Sequence, residues 1–181
     1  ATTIIEERLK IDPENPEMWD LYGTVTNDPQ HYEKSWEVSG RSFAKAKRNL
    51  GNYYMKAQQW QNALDSYLIS LKINYLYPRT WFASGCAAIK VEDWQKALEC
   101  FSTAVQLDPQ DAESWTNLSS IYIQKGEKDK AIKTLREALR IKPENYRMWE
   151  NHMILSLQTR DYQQVVTSVI QLISLKNRKE V

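Results

Sequence analysis

His31 and His152 are the only histidines in this chain and Cys86 and Cys100 the only cysteines, so acid–base, thiolate or metal chemistry would have to start from them. Their spacing does not favour it. The histidines lie far apart in sequence, His31 near a predicted helix start and His152 inside an apolar packing pattern, which reads as one surface and one core histidine. The cysteines fall on successive predicted helices at unremarkable spacing and read as two small buried hydrophobes rather than a disulfide or a metal pair. Gly40-Arg41-Ser42 lacks the Gly-Lys-Ser/Thr ending of a phosphate loop, and no Gly-x-Ser-x-Gly elbow occurs. Acidic pairs such as Glu92-Asp93 sit at turns, where helix capping accounts for them. No catalytic residue, metal or cofactor is expected.

Charge narrows the partners. The chain has 24 Lys and Arg against 23 Asp and Glu, a net charge of +1, whereas polyelectrolyte binders are usually clearly basic. A nucleic acid partner is therefore disfavoured. No stretch is long and apolar enough to span a bilayer and no signal peptide is visible, so a cytoplasmic location, extending to the nucleus, is expected. The sequon Asn117-Leu118-Ser119 falls inside a helical pattern and reads as chance. The chain lacks an initial Met and begins mid-pattern, which suggests a piece of something longer.

The elements that must position any site repeat. Trp81, Trp115 and Trp149 stand 34 residues apart, and Ala63, Ala97 and Ala131 keep the same step, as do Tyr67, Phe101 and Leu135. Within 112–145, Trp115, Leu118, Ser119 and Tyr122 form one face of a first helix, Gly126 suits the turn, and Ala131, Leu135 and Ala138 line a second helix ended by Pro143. The preceding unit, 78–111, opens on Pro78 and offers Asp93 as a cap for its second helix. Unit 44–77 has Lys47 in place of the Trp and Tyr75 in place of the Pro. Residues 15–43 form a shortened unit: Trp19 and Gly23 mark its first helix, and Tyr32 is set against Trp60, 28 residues on instead of 34. Ser39-Gly40-Arg41 then makes a tight or irregular connection, and residues 1–14 read as the second helix of a truncated unit. The last unit, 146–179, is degenerate, and its Val165, Val166, Val169, Ile170 and Ile173 leave little polar face, which predicts that more helices follow.

Self-similarity at a period of about 34 residues resembles the tetratricopeptide repeat. The fold it implies is all-α, a right-handed superhelical solenoid of antiparallel helix pairs forming a single array over the chain. A narrower resemblance, to the tetratricopeptide repeat protein 27 family, rests on Tyr32-Glu33-Lys34-Ser35-Trp36-Glu37-Val38-Ser39 and on the run from Ala44 to Gly51. It rests also on Trp81 to Ala87, Glu92-Asp93-Trp94, Trp115 to Ser119 and Trp149-Glu150-Asn151. That resemblance implies a fragment of the repeat-rich C-terminal region of a larger helical protein. It also implies a part in protein-complex assembly, including that of spliceosomal U5 particle components, and no catalytic role.

In that fold the first helices line a concave face. Residues on them turned from the packing seam are the candidate contacts: Lys45, Arg48, Asn52 and Lys56, then Arg79, Phe82, Cys86 and Lys90. Glu17, Asp20 and Asp28 make the N-terminal end acidic, and the absence of a Trp at Lys47 opens the basic unit. The binding group carried forward is Lys45, Arg48, Asn52, Lys56, Arg79, Phe82 and Lys90, a cradle for an acidic or extended segment of a protein partner, set against the plainer reading of a solvated helix face. Arrays that clamp the C-terminal carboxylate of a chaperone use Lys, Asn and Arg over three units. Ala83, Glu113 and Asn117 fail three of those five positions, so no such chaperone tail is expected to bind. Two further readings stay open: an RNA-associated helical-repeat module, and the repeat region of an enzyme whose catalytic domain lies elsewhere.

Overall fold

The computed structural model describes residues 2–178, and it is all-helical. Ala1 and Lys179, the outer limits of the first and last sequence units, lie outside the described residues. The helices are α1 (Thr2–Ile11), α2 (Pro16–Thr26), α3 (Pro29–Val38), α4 (Ala44–Lys56), α5 (Trp60–Ile73), α6 (Pro78–Lys90), α7 (Trp94–Leu107), α8 (Ala112–Gln124), α9 (Lys128–Ile141), α10 (Tyr146–Gln158) and α11 (Tyr162–Asn177). Two compact units divide the chain, the first ending at Cys100 and the second beginning at Phe101, so the division falls inside α7.

In the first unit α2 packs on α3 and α4 on α5. Small residues permit the approach: the ring of Tyr67 lies where a side chain on Gly51 would be, and Tyr32 covers Gly23 in the same way. Ser70 Oγ donates to the carbonyl of Ala44 at 2.8 Å, tying the far end of the α4–α5 hairpin. In the second unit Ala112, Ala131, Ile132, Leu135, Ala138, Leu139, Met148 and Leu155 form a buried cluster, flanked by Trp115, Tyr122 and Trp149.

The recurring Trp has a polar duty as well as an apolar one. Trp19 Nε1 donates to the carbonyl of Pro13, Trp81 to Tyr75, Trp115 to Pro109 and Trp149 to Pro143, each six residues back and at 2.8–3.0 Å. Only a backbone carbonyl is needed, so Tyr75 serves where the other units have Pro. Lys47 makes no such bond. It is 8% exposed, pairs with Glu33 at 2.7 Å and lies over the Trp36 ring, so the missing Trp is replaced by an internal ion pair and opens no basic groove.

The hairpin turns also repeat. Gln58, Glu92, Gly126 and Arg160, 34 residues apart, all have φ between 59° and 75°. The next residue's N–H reaches five residues back, as from Gln59 to Tyr54 and Glu127 to Tyr122, which is the Schellman closure of a helix end. Only Gly126 adopts this conformation without a side-chain penalty, which is on the order of 1–2 kcal/mol for the others. Asp93 caps α7 as its sequence predicts, accepting from Lys96 N at 2.9 Å.

The shortened hairpin keeps a different register from the one its sequence suggests. Ser35 Oγ donates to Pro16 O at 2.6 Å as Ser70 does to Ala44, so Tyr32 and Ser35 correspond to Tyr67 and Ser70, each 35 residues on, and Tyr32 does not correspond to Trp60. Pro16 and Gly23 precede Ala44 and Gly51 by 28. Seven residues are thus absent from the tip: two from the end of α2, one from the turn and four from the start of α3. One extra residue sits in the exit, where Gly40 and Arg41 both have φ of 63° and Ser39 Oγ accepts from the N–H groups of Ser42 and Phe43. The hairpin therefore ends about one turn, roughly 5 Å, short of its neighbour.

Candidate functional site

The predicted contact residues do not form one group. Lys45 Nζ lies 3.0 Å from Asp20 Oδ2, and Asn49 Nδ2 donates to Asp20 Oδ1 at 2.7 Å. Asp20 is 1% exposed. It therefore contributes no free acidic charge at the N-terminal end, and Lys45 is already committed. The pairing joins α2 to α4 across 25 residues, a distance outside the repeat period, and no sequence signal marks it.

Three of the predicted residues do meet. Arg48 and Asn52 on α4 and Arg79 on α6 line a cavity of about 300 Å³ together with Tyr67, Tyr77, Thr80 and Ala83. The Arg48 guanidinium sits over the Tyr77 ring, 4.3 Å from its centroid, which fixes a long side chain without neutralising it. Tyr67 donates its hydroxyl to Asn52 Oδ1 at 2.8 Å. Burial pushes the Tyr67 phenol well above its usual range, so it remains a donor. Thr80 is 2% exposed, and its buried hydroxyl has no hydrogen-bond partner. Neither Arg48 nor Arg79 is ion-paired among the described residues.

The remaining four stand apart. Lys56 is exposed at the end of α4, and Lys90 lies over the Trp60 ring at 5.6 Å. Phe82 is half-buried on α6, outside the lining of the cavity, and Lys45 is held by Asp20. Sequence reasoning missed Tyr67, Tyr77 and Thr80. Tyr67 was legible only as a core residue; Tyr77, which precedes the Pro78 that starts α6, could have been found as the residue that must pass beside α4.

The groups with intrinsic reactivity are held in packing. His31 Nδ1 meets Thr26 Oγ1 at 3.0 Å, and its ring lies against Trp19 and Tyr22. Cys100 is buried, its thiol pushed up to about 12 by desolvation, while Cys86 is half-buried. Among the described residues no three His, Cys, Asp or Glu side chains are placed to hold a metal, and no helix is long and apolar enough to cross a membrane.

His152 is 1% exposed at the position held by Leu118 one repeat earlier. Ser168 Oγ gives its proton to Gln164 O, so His152 carries its proton on Nδ1 and donates to Ser168, leaving Nε2 buried without a partner. Burial, and secondarily Arg136, lowers its pKa from 6.5, opposed in part by Asp161. Because the folded value lies below the unfolded one, the neutral histidine's contribution is complete above about 6.5 and is lost as pH falls through that value towards the folded pKa. Urea midpoints measured between pH 7.5 and 5 are expected to fall for the wild type and to fall less steeply in His152→Leu. Equal slopes in both proteins would assign the effect to another group.

α11 differs from the helices before it. Tyr162, Val166, Ile170 and Ile173 are exposed, each more than half accessible, whereas Val165, Leu172 and Leu175 are partly covered.

Comparison with known proteins agrees with the repeat fold. Residues 82–146 match the tetratricopeptide repeat family. The chain is 39% identical over 87 residues, 48% of its length, to the tetratricopeptide repeat protein 27 homolog of Dictyostelium discoideum, of which the match covers 10%. It is 41% identical over 90 residues, 50% of its length, to a TPR repeat-containing protein of Schizosaccharomyces pombe, of which the match covers 11%. The matches thus span about a tenth of these curated relatives. Among solved structures, YrrB, described as a TPR protein with an unusual peptide-binding site, superposes with a TM-score of 0.82 over 98% of this chain and 94% of that one, at 17% identity. That likeness concerns the fold.

Proposed function

We propose that this chain, a tetratricopeptide-repeat array similar to the protein 27 relatives, is a non-catalytic protein-interaction scaffold that holds an acidic, extended partner segment on its first helices. The observation that carries this reading is the cavity between α4 and α6, which presents two guanidinium groups that form no ion pair among the described residues. Its place in the cell is the cytoplasm and also the nucleus, and its role is to assist assembly of a larger complex, with spliceosomal U5 particle components as the class the family resemblance implies. It inserts in no membrane and takes no chaperone tail.

An RNA-associated role is less well supported. The indole N–H groups of Trp19, Trp81, Trp115 and Trp149 are spent on backbone carbonyls, which ties these rings to the repeat exits instead of leaving them for base stacking. The discriminating experiment is simultaneous substitution of Arg48, Asn52, Arg79 and Lys90 by alanine in the full protein. Partner recovery after crosslinking is expected to fall at least tenfold while the helical circular dichroism and the thermal midpoint stay close to wild type. Unchanged recovery would place binding on another face, and a strongly salt-dependent shift with single-stranded RNA would favour the RNA reading.

A further inference from the structure

Three of the exits that lead from one hairpin to the next share a pattern. Residues 12–15, 108–111 and 142–145 read Asp-Pro-Glu-Asn, Asp-Pro-Gln-Asp and Lys-Pro-Glu-Asn. Each is polar, carries an acid and ends on a residue whose side chain caps the next helix. The exit between α5 and α6 keeps the same register but reads Asn74-Tyr75-Leu76-Tyr77. Tyr77, in the capping position, makes no side-chain cap bond. Leu76 stands where the others have an exposed Gln or Glu and is 73% exposed, with Ile73 and Tyr75 also exposed beside it. The Trp81 bond does not require these residues, because it uses the Tyr75 carbonyl as Trp115 uses that of Pro109. A local rule broken without gain to the fold marks a place where function sets the residue type.

We infer that Leu76, with the rings of Tyr75 and Tyr77, is the docking point for an apolar side chain of the partner segment, flanked in that segment by acidic residues. This rests on the scaffold reading and adds an apolar anchor on the exit itself. The two rings are already fixed. The Arg48 guanidinium lies 4.3 Å from the Tyr77 centroid, and Tyr75 makes an edge contact with Trp81 at 5.2 Å. Little side-chain freedom is therefore lost when a ligand covers them. Tyrosine and arginine are also the types that concentrate binding energy at interfaces. Charge sets the class of the flanking residues. Residues 38–91 hold eight Lys and Arg against a single acid, Asp65, whereas the whole chain is nearly balanced. Lys45 and Lys47 are taken by Asp20 and Glu33, but Lys72 and Arg79, on either side of the exit, have no ion pair among the described residues. An exposed apolar patch with a cationic rim fits a segment that is apolar at one position and acidic beside it.

The test uses the 181-residue chain, with leucine methyls and tyrosine rings labelled for NMR, and three peptides blocked at both ends. These are Glu-Glu-Phe-Glu-Glu, Glu-Glu-Ser-Glu-Glu and Gln-Gln-Phe-Gln-Gln. Saturable shifts centred on Leu76, Tyr75 and Tyr77 are expected with the first. Losing its ring is expected to weaken binding about tenfold, and losing its acids about threefold. Leu76→Gln, the residue of the next exit, is expected to weaken the first peptide about tenfold with the thermal midpoint unchanged. Asn74→Asp, Tyr75→Pro, Leu76→Gln and Tyr77→Asp together are expected to abolish binding while the midpoint stays at or above wild type, because the cap is restored. The inference is overturned if the shifts map elsewhere, if Leu76→Gln binds as wild type, or if the uncharged peptide binds as well as the acidic one. A midpoint well below wild type in the exchanged exit would make it a packing element and overturn the inference too. So would a dimer in sedimentation that Leu76→Gln disperses, since a second copy would then be the occupant. Failure at Leu76 combined with loss of partner recovery in the fourfold alanine protein would sink the apolar anchor and leave the scaffold standing. Unchanged recovery in that protein would remove the scaffold reading itself.

Discussion

Tyr67→Ala is expected to be among the most damaging single substitutions in the first unit, costing about 3–5 kcal/mol in urea or thermal unfolding, the range for truncating a buried aromatic side chain. The ring is 1% exposed, it covers Gly51, and its hydroxyl is bonded to Asn52. Removing it leaves a cavity at the centre of the α4–α5 pair and frees the amide that faces the polar cavity. Tyr67→Phe separates the two roles, since it loses only the hydroxyl and should cost about 1 kcal/mol. Repeat arrays lose cooperativity when one interface is weakened, so the alanine protein should show an early transition for the first unit ahead of the rest. A single transition with the wild-type midpoint would mean that the ring packs elsewhere in solution.

The second large effect lies at the other side of the same contact. An added Cβ at Gly51 would stand 2.6 Å from the Tyr67 ring carbons, and that ring is held at its far end by Asn52 and cannot swing away. Alanine gains about 1 kcal/mol of helix propensity over glycine, which partly offsets the clash. Valine adds bulk without that gain, so Gly51→Val is expected to destabilise by about 3 kcal/mol, the upper end of ordinary overpacking. Gly126→Ala is the control: its Cβ would meet nothing within 4 Å, and only the φ of 75° penalises it. If the two variants melt together, backbone conformation and not the ring contact limits Gly51.

What could be read beforehand follows from which groups carry the constraint. Trp, Ala and Pro at a 34-residue step are side-chain requirements of the helix seam, so the all-helical pairs were legible directly. The turns were legible only at Gly126, because Gln58, Glu92 and Arg160 adopt the same left-handed backbone without announcing it by residue type. The short hairpin was mis-registered because Tyr32 was set against Trp60 by distance, whereas its partner Gly23, which the ring must cover, sets it against Tyr67. Of the predicted contact residues, Arg48, Asn52 and Arg79 came to line one cavity. Lys45 did not, because its fate depends on Asp20, and a tertiary ion pair between helices of unequal repeats has no period.

The one-turn recession of the α2–α3 tip bears on a problem inherent to any periodic surface. A segment lying across like repeats has several equivalent seats, one repeat apart, and can slip between them at little cost. In the first unit that translational degeneracy is lifted. A ligand displaced by one unit towards α2 meets a recessed tip, a 28-residue step in place of 34, and a carboxylate already installed on Lys45 and Asn49. The irregular hairpin thus marks the α2 side of the unit: a segment bound on the first helices would find no equivalent seat one step towards α2.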